Sequence, residues 1–183
     1  MGTSLTARAT WPALLRDALA DALHRPVEME VVARPGATTN WMVEASRQSR
    51  AIAPTLVLLE GATNDAALHR GLTLSQSRAN IRQILRRLAA ATDPAHILVM
   101  AMNPAFGLRG LIRHRLDHFS DMHLAEAIDA GARAVDCRPL WRAMPRTERR
   151  RAIPDGLHPR AEAAGALVTP ALLQIIAAEW KNI

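Results

Sequence analysis

Short apolar segments of strand length alternate along this chain with longer segments of helical periodicity. The strand-like segments span residues 27–33, 55–60, 96–102 and 132–137. The helix-like segments span residues 11–23, 40–52, 73–91, 112–130 and 160–180, the last expected to kink or break at Pro170. The runs TLVLLE and HILVMAM are apolar at both alternating positions, which is typical of strands covered on both faces. The alternation predicts an α/β protein with a parallel sheet between two helical layers, a three-layer α/β/α sandwich.

The composition indicates one folded domain over residues 1–183. A chain of this length can bury a stable core without disulfides or bound metals. Its 49% apolar content excludes a disordered chain. No apolar stretch is long enough for a membrane span. Because the first residues lack the apolar core of a signal peptide, the sequence as written predicts a cytoplasmic protein. The single Cys137 cannot form an internal disulfide and is expected to be a buried small apolar residue.

The net charge of +6 comes almost wholly from arginine, since Lys181 is the only lysine. A nucleic-acid-binding surface usually combines a basic stripe with aromatic side chains that stack on bases. Here the arginines alternate with Asp and Glu on helix-like segments, tyrosine is absent and phenylalanine occurs only twice. We therefore expect a solvated, arginine-rich surface and no nucleic-acid partner.

A serine near the N-terminus and an Asp–His pair near the C-terminus are the residue types of a serine hydrolase. Ser4 lies in Gly-Thr-Ser-Leu-Thr, and Asp155 precedes His158 in Asp-Gly-Leu-His-Pro. A serine hydroxyl needs a base within hydrogen-bond reach, and a carboxylate on the second imidazole nitrogen fixes the tautomer of that base. Alternatively, Ser4 is a helix cap or part of a terminal tail, and Asp155 with His158 forms a turn before a helix.

Two further positions supply hydrogen-bond donors for an oxyanion. Gly36 follows the 27–33 segment, and Asn64 follows the 55–60 segment in Gly-Ala-Thr-Asn-Asp. The carboxyl ends of parallel strands meet at one edge of a sheet, so Gly36, Asn64 and Asn103 are predicted to lie along that edge. Taken singly, Gly36 is better explained as a turn glycine and Asn64 as an Asx turn, but the combination of motifs favours a site.

The order and spacing of these motifs resemble the SGNH (GDSL-type) hydrolase family over nearly the whole chain, and Trp11-Pro12 and the stretch 77–81 add to the likeness. The resemblance implies a parallel sheet of flavodoxin-like strand order and no metal or organic cofactor. It also implies a set of site residues: a triad of Ser4, Asp155 and His158, and an oxyanion hole of Ser4, Gly36 and Asn64.

Two features depart from the family pattern. Thr3 stands where the family has an aspartate that ties down the nucleophile loop, which we expect to tune activity rather than abolish it. The family also has an apolar strand before the serine, for which the residues before Ser4 leave no room. We expect either an upstream segment or a closed-up sheet with a loosely held nucleophile loop. We expect the chain as given to be less stable and much less active than one with about five to eight apolar residues added upstream.

Two charged clusters have weaker functional interpretations. His114, Asp117, His118 and Asp121 recur at helical spacing and would share one helix face. No HExxH motif accompanies them, so a charged solvent face or a lid over the site is favoured and no metal site is predicted. The arginine-rich run 146–151 is expected to point into water, where it would steer anionic substrates.

These patterns together predict a serine esterase that cleaves acyl esters through an acyl-serine intermediate. The expected substrate is a small-molecule or lipid-like acyl ester of the carboxylester, thioester or lysophospholipid type. An O-acyltransferase with the same acyl-enzyme, and an inactive relic or binding module, are the alternatives. The sequence leaves the acyl chain, the alcohol and the oligomeric state open.

Overall fold

Three short parallel strands form the centre of the protein. The computed structural model describes residues 1–8 and 11–180. In chain order the strands are β1 (Val57–Leu59), β2 (Ile97–Ala101) and β3 (Arg133–Asp136). They lie side by side in that order, and the register pairs Val57 with Ile97 and Leu98 with Arg133. Each strand falls within a predicted strand segment, and the parallel pairing confirms the predicted sheet.

The first two residues extend the sheet beyond β1. The Met1 ammonium donates to the carbonyl oxygen of Leu58 at 2.6 Å, and the carbonyl oxygen of Met1 accepts from the N–H of Glu60 at 3.1 Å. On the other side, Gly2 forms an isolated parallel bridge with Ala33. The lateral order is therefore Ala33, Gly2, β1, β2, β3, which is the flavodoxin-like order implied by the family resemblance.

The predicted strand over residues 27–33 is wrong in its extent. Only Ala33 of this segment pairs, and two backbone hydrogen bonds flank the bridge: Gly2 N–H to Val32 O at 3.0 Å and Arg34 N–H to Gly2 O at 3.2 Å. A regular strand needs a ladder of successive hydrogen bonds. Within the described residues, only Met1 and Gly2 are available between this segment and β1, so the ladder is limited to one bridge.

Helices cover both faces of the sheet, as predicted. In chain order they are α1 (Ser4–Ala7), α2 (Trp11–Leu23), α3 (Thr39–Ala45), α4 (Ser49–Ile52), α5 (Ala62–Asp65), α6 (Leu74–Ala89), α7 (Gly107–Leu111), α8 (Leu116–Asp129), α9 (Arg138–Ala143), α10 (Arg146–Ala152) and α11 (Ala161–Trp180). Short 3₁₀ turns cover Ser46–Gln48, Leu68–Arg70 and Pro94–His96. Helices α2, α9 and α11 share a core on one face, and α3, α6 and α8 share a core on the other.

β2 shows how one strand contributes to both cores. Leu98 and Met100 belong to the core under α2 and α11, whereas Ile97 and Val99 belong to the core under α3 and α6. Successive side chains of a strand point to opposite faces. A strand that is apolar at every position therefore feeds both helical layers.

The helix boundaries follow local chemistry where a cap is present. Thr73 and Gln76 form a reciprocal capping box, with Oγ1 of Thr73 accepting from Gln76 N–H at 3.1 Å and Oε1 of Gln76 accepting from Thr73 N–H at 2.9 Å. The predicted break at Pro170 is not observed, since α11 continues through it with Val168 and Leu172 fully buried on either side. Packing of the flanking turns outweighs the loss of one helical hydrogen bond.

Within residues 1–8 and 11–180, every helix is too short or too polar to span a membrane.

Cys137 is 1% exposed, which confirms its predicted role as a buried apolar residue. Burial, helped by the charge of Asp136, raises the pKa of the Cys137 thiol to about 12, so at neutral pH it is not a thiolate nucleophile.

Candidate active site

The turn that carries Ser4 is tied to the end of β1. Thr3 caps α1, its Oγ1 accepting from the N–H of Leu5 at 3.2 Å, so Ser4 is the first helical residue. Glu60, directly after β1, accepts hydrogen bonds from the N–H and hydroxyl of Thr3 and from the hydroxyl of Thr6. Ser4 is 6% exposed. The turn is buried and firmly bonded, in contrast to the loosely held loop expected for a chain that begins here.

Ser4, His158 and Asp155 form a continuous hydrogen-bonded chain. Oγ of Ser4 lies 2.9 Å from Nε2 of His158, and Nδ1 of the same ring lies 2.7 Å from Oδ2 of Asp155. The other carboxylate oxygen, Oδ1, accepts from the backbone N–H groups of Leu157 at 2.9 Å and His158 at 2.7 Å. The carboxylate therefore holds both the loop and the imidazole ring in place.

The charge state of Asp155 determines the tautomer of His158. Partial burial raises the pKa of Asp155, but hydrogen bonds from the side chain and backbone of His158 and from the N–H of Leu157 outweigh it and lower that pKa to about 2. An ionised carboxylate only accepts hydrogen bonds, so the proton between the two groups resides on Nδ1 of His158. Nε2 is then the basic nitrogen that faces Ser4.

The loop of Asp155 and His158 docks on the segment after β2. Nδ2 of Asn103 donates to the carbonyl oxygen of Leu157 at 2.9 Å, and the N–H of Phe106 donates to the carbonyl oxygen of Gly156 at 2.9 Å. Gly156 has a φ of +78°, and a Cβ there would lie 2.3 Å from the carbonyl oxygen of Phe106. Only glycine fits this close approach. Asn103 thus lies at the predicted edge, where it supports the loop.

Gly36 and Asn64 are neighbours at the same edge. Asn64 is 4% exposed, and its Nδ2 donates to the carbonyl oxygen of Ala37 at 2.9 Å. An amide nitrogen carries two hydrogens, so the second remains for a ligand. Gly36 has a φ of +75°, and a Cβ there would lie 2.7 Å from Nη2 of Arg70. Asn64 therefore contacts the residue next to Gly36, so the two residues predicted for the oxyanion hole lie close together.

A buried guanidinium orients the amide of Asn64. Arg113 is 5% exposed, and it donates from Nε to the carbonyl oxygen of Thr63 at 3.0 Å and from Nη2 to Oδ1 of Asn64 at 3.3 Å. Since guanidinium groups only donate, Arg113 fixes which end of the amide is the oxygen. Burial lowers the pKa of Arg113, and the positive charges of Arg109 and Arg70 lower it further.

The model of the GDSL-like lipase/acylhydrolase family matches residues 1–166 of the chain. The protein belongs to this family. Family membership supports a hydrolase function of the esterase type. A comparison with curated protein sequences gives no significant match.

Solved structures with the same fold come from several esterases and hydrolases. A lipase/acylhydrolase from Enterococcus faecalis superposes with a TM-score of 0.82 at 19% identity, covering 97% of this chain and 93% of that one. An acetylxylan esterase from Geobacillus stearothermophilus gives 0.76 at 16% identity, covering 98% and 93%. An α/β hydrolase from the metagenome of Lake Arreo, Spain, gives 0.74 at 15% identity, covering 94% and 91%. These likenesses confirm that the chain has the fold of the GDSL-like family.

Glu60 and Arg113 are residues around this GDSL-like site that the sequence did not reveal. Glu60 ends the apolar run TLVLLE, and a carboxylate at the end of a buried strand was a usable signal. Burial raises the pKa of Glu60 to about 7, although hydrogen bonds from Thr3 and Thr6 act in the opposite direction. Arg113 gave no such signal, because it falls within a segment predicted to be helical and is surrounded by other arginines.

A second polar network fixes the position of α5, which carries Asn64. Asp65 accepts from the N–H of Thr39 at 2.8 Å, from its hydroxyl at 2.6 Å and from the hydroxyl of Ser77 at 2.5 Å. Oγ of Ser77 also lies 2.8 Å from Nε2 of His123. Burial lowers the pKa of His123 to about 4, so the ring is neutral at physiological pH. The network is buried and joins α3, α5, α6 and α8.

The four residues of the predicted histidine–aspartate face are exposed, in agreement with the expected charged solvent face, but only Asp117, His118 and Asp121 lie on a common helix, α8. His114 precedes α8, which begins at Leu116, because residues 112–115 form a turn. Asp117 and Asp121 instead bind the guanidinium of Arg138. Among the described residues no group of His, Cys, Asp or Glu is arranged to hold a metal ion. The arginine run 146–151 forms α10, with most of its side chains exposed.

Proposed function

We propose that this protein is a serine esterase that hydrolyses acyl esters through an acyl-enzyme intermediate on Ser4. The observation that carries the proposal is the hydrogen-bonded chain from Oγ of Ser4 through His158 to Asp155. The proximity of Gly36 and Asn64 supports it, because an ester hydrolase also needs donors for the oxyanion.

In the acylation step, Nε2 of His158 takes the proton of Ser4 while Oγ attacks the ester carbonyl carbon. The ionised Asp155 stabilises the imidazolium that forms. The carbonyl oxygen becomes an oxyanion, which accepts hydrogen bonds from the N–H groups of Ser4 and Gly36 and from the second amide hydrogen of Asn64. The N–H of Ser4 is available because the first residue of a helix has no intrahelical acceptor. His158 then gives its proton to the departing alcohol.

In the deacylation step, His158 accepts a proton from water as the water oxygen attacks the acyl carbon. Collapse of this second tetrahedral intermediate releases the carboxylic acid, and the proton on His158 returns to Oγ of Ser4. The base, its orienting carboxylate and the oxyanion donors all belong to the chain, so these steps need no cofactor.

Turnover of 4-nitrophenyl acetate and butyrate tests the proposal. Ser4→Ala and His158→Ala should each lose nearly all turnover, and the double variant should lose little more, because triad members act as a unit. A fluorophosphonate should label the wild-type chain once, at Ser4. Ser75→Ala, an exposed serine on α6, is the matched control and should keep wild-type activity. Wild-type turnover by a correctly folded Ser4→Ala variant would contradict the assignment of the nucleophile.

A further inference from the structure

Three arginines lie around the candidate active site, and we refer to them as the arginine cluster: Arg70, Arg109 and Arg113. Nη2 of Arg70 lies 2.7 Å from the position that a Cβ on Gly36 would take. Nη2 of Arg113 binds Oδ1 of Asn64, and Nε of Arg109 lies 4.0 Å from Oδ2 of Asp155. Each guanidinium therefore adjoins a different part of the proposed catalytic machinery.

The charges of the arginine cluster act on one another. Burial, then Arg109, then Arg70, lower the pKa of Arg113, whereas Asp155 raises it. Asp155 already receives three hydrogen bonds from the loop of His158. Arg113 is thus influenced by two other guanidinium groups and by one carboxylate that is committed to the triad, so the arginine cluster and Asp155 together carry a net positive charge.

Arg138 shows how this protein neutralises a buried guanidinium elsewhere. It is 5% exposed, as Arg113 is, but it forms ion pairs with three carboxylates: Asp117, Asp121 and Asp136. Arg113 has no ion-pair partner within residues 1–8 and 11–180, and its buried Nη1 has no hydrogen-bond partner there. An uncompensated buried cation is unfavourable. An anion bound near Arg113 would supply the counter-charge that the described residues lack.

A pocket of about 290 Å³ adjoins the arginine cluster. Arg113 lines it together with His114, Asp117 and the apolar side chains of Ala105, Phe106, Leu111 and Leu116. The carboxylate of Asp117 is paired with Arg138 and Arg142. Phe106 also binds the loop of the triad through its backbone N–H. The pocket consequently offers space for part of a substrate next to the segment that supports the loop of His158, and its walls combine apolar side chains with the guanidinium of Arg113.

We propose that the preferred substrates are acyl esters that carry an anionic group, a carboxylate or a phosphate, close to the ester bond. The proposal rests on the proposed esterase function and names the substrate class of that same site. Arg70 and Arg109, whose side chains are exposed, bind the anionic group, because planar guanidinium groups match the oxygens of carboxylate and phosphate. The buried Arg113 adds a third positive charge and keeps the amide of Asn64 oriented.

The test compares pairs of esters that differ in one charge. On the acyl side, the 4-nitrophenyl ester of hexanoic acid is compared with the mono-4-nitrophenyl ester of adipic acid. On the alcohol side, methyl 4-acetoxybenzoate is compared with 4-acetoxybenzoate. The wild-type enzyme should have a kcat/KM at least about tenfold higher for the anionic member of one pair, and sodium chloride should reduce that preference. The pair that responds identifies the side of the ester that carries the charge.

Charge-neutralising variants assign the effect to the arginine cluster. Arg70→Gln and Arg109→Gln should each reduce the ratio of anionic to neutral turnover several-fold, and the double variant should remove most of it. Arg86→Gln is the matched control, since Arg86 is exposed on α6 nine residues beyond Ser77, ~13 Å along the helix axis. It should leave the ratio unchanged.

The outcomes separate this proposal from the proposed esterase function. Turnover of neutral esters without an anionic preference in either pair would overturn the substrate class while leaving the esterase intact. A preference that Arg86→Gln reduces as much as Arg70→Gln would overturn the assignment to the arginine cluster. If no ester is turned over and Ser4 is not labelled by a fluorophosphonate, the esterase function fails, and the substrate class fails with it.

Discussion

At the scale of single residues, Thr3 and Glu60 together do what the family resemblance assigns to one aspartate before the serine. Thr3 is fully buried, and its N–H and hydroxyl both donate to Glu60. The carboxylate that holds the turn of Ser4, the proposed nucleophile, thus comes from the end of β1 instead of from the turn itself. A threonine at position 3 is therefore compatible with a rigid Ser4, because the fold supplies the carboxylate from elsewhere.

Because Glu60 already supplies the carboxylate, an aspartate at position 3 should destabilise the protein. Thr3→Asp would place a second carboxylate in contact with Glu60 in a buried site, where like charges repel strongly. We expect a loss of ~2–4 kcal/mol in the free energy of unfolding. Adding Glu60→Gln should recover much of that loss, because the pair then contains one carboxylate. Urea unfolding of both single variants and the double variant measures the coupling between the two positions. Purely additive effects would show that Glu60 does not take the place of the aspartate.

Glu60 also predicts a specific pH dependence of stability. Its pKa is about 7 in the folded protein, against an ordinary value of 4.5. Between these values the folded state binds more protons than the unfolded state, so the contribution of Glu60 to stability is full below pH ~4.5 and falls by roughly 3 kcal/mol as the pH rises through 7.

Glu60→Gln lacks this titration, so its stability relative to the wild type should improve steadily from pH ~4.5 to 7 and then level off. The difference between the two proteins is the quantity to measure, because the titration of His123 is common to both and cancels. What remains is the titration of Glu60 together with that of the Met1 ammonium, whose pKa Glu60 raises. Urea midpoints at several pH values give that difference. Parallel curves for the two proteins would show that Glu60 does not titrate in this range.

At the scale of elements, the site is assembled by loops that dock on one another at the carboxyl edge of the sheet. The loop of His158 is held by Asn103 and by the backbone of Phe106. The helix α5 that carries Asn64 is held by the network of Asp65 with α3 and α6. Local contacts within each loop do not set the distance from Ser4 to His158, so the geometry depends on these junctions.

Gly156→Ala tests this dependence. The new Cβ would clash with the carbonyl oxygen of Phe106 in a backbone conformation with φ of +78°, so the loop must move away from α7. We expect kcat to fall by about 10- to 100-fold, since catalysis is sensitive to displacements of the order of 1 Å. Gly131→Ala is the control: its φ is +74°, but the nearest atom to its Cβ is Cβ of Pro94 at 3.6 Å. It should lose stability without losing activity. Equal activity in both variants would show that docking on Phe106 does not position His158.

At the scale of the whole molecule, the sheet separates two apolar cores, and its N-terminal edge is the least supported part. Val27 and Met29 are partly buried against the core of α2 and α11, whereas Val31 is 49% exposed. Among the described residues, only Met1 and Gly2 lie between this segment and β1. The buried ammonium of Met1 adds a cost, because burial lowers its pKa to about 6 against the opposing effect of Glu60.

Adding about five to eight apolar residues upstream of Met1 should therefore stabilise the protein, since each buried apolar side chain contributes ~1.5–3 kcal/mol. A Gly-Ser extension of the same length is the control, because it removes the buried ammonium without adding apolar contacts. We expect a higher melting temperature for the apolar extension than for the Gly-Ser extension. Ester turnover should change little, because Oγ of Ser4 already lies 2.9 Å from Nε2 of His158, the proposed base. This expectation differs from the large activity gain expected from the sequence. An apolar extension no more stable than the Gly-Ser one would mean that this edge does not accept a strand.

The elements of this protein could be read from the sequence because their signals are local. The apolar run of β2, the periodicity of α6 and the Thr73 cap each depend on residues within a few positions of one another. The motifs of Ser4, Asn64 and His158 were visible for the same reason, and strand–helix alternation implied that Gly36, Asn64 and Asn103 share one edge of the sheet. The family and the three-layer fold followed from these local signals.

Tertiary structure decided everything that depends on pairing between distant segments. The 27–33 segment has strand-like composition, but a strand forms only where a neighbour offers a ladder, and here Gly2 offers one bridge. Glu60 matters at the site because it accepts hydrogen bonds from Thr3, and Arg113 because it donates one to Asn64. The periodicity of the sequence does not encode such contacts. The net charge at the site likewise depends on which arginines meet carboxylates: Arg138 meets three, whereas Arg113 lies beside two other arginines. Burial and charge pairing are properties of the folded chain, because they depend on distances that only folding brings about.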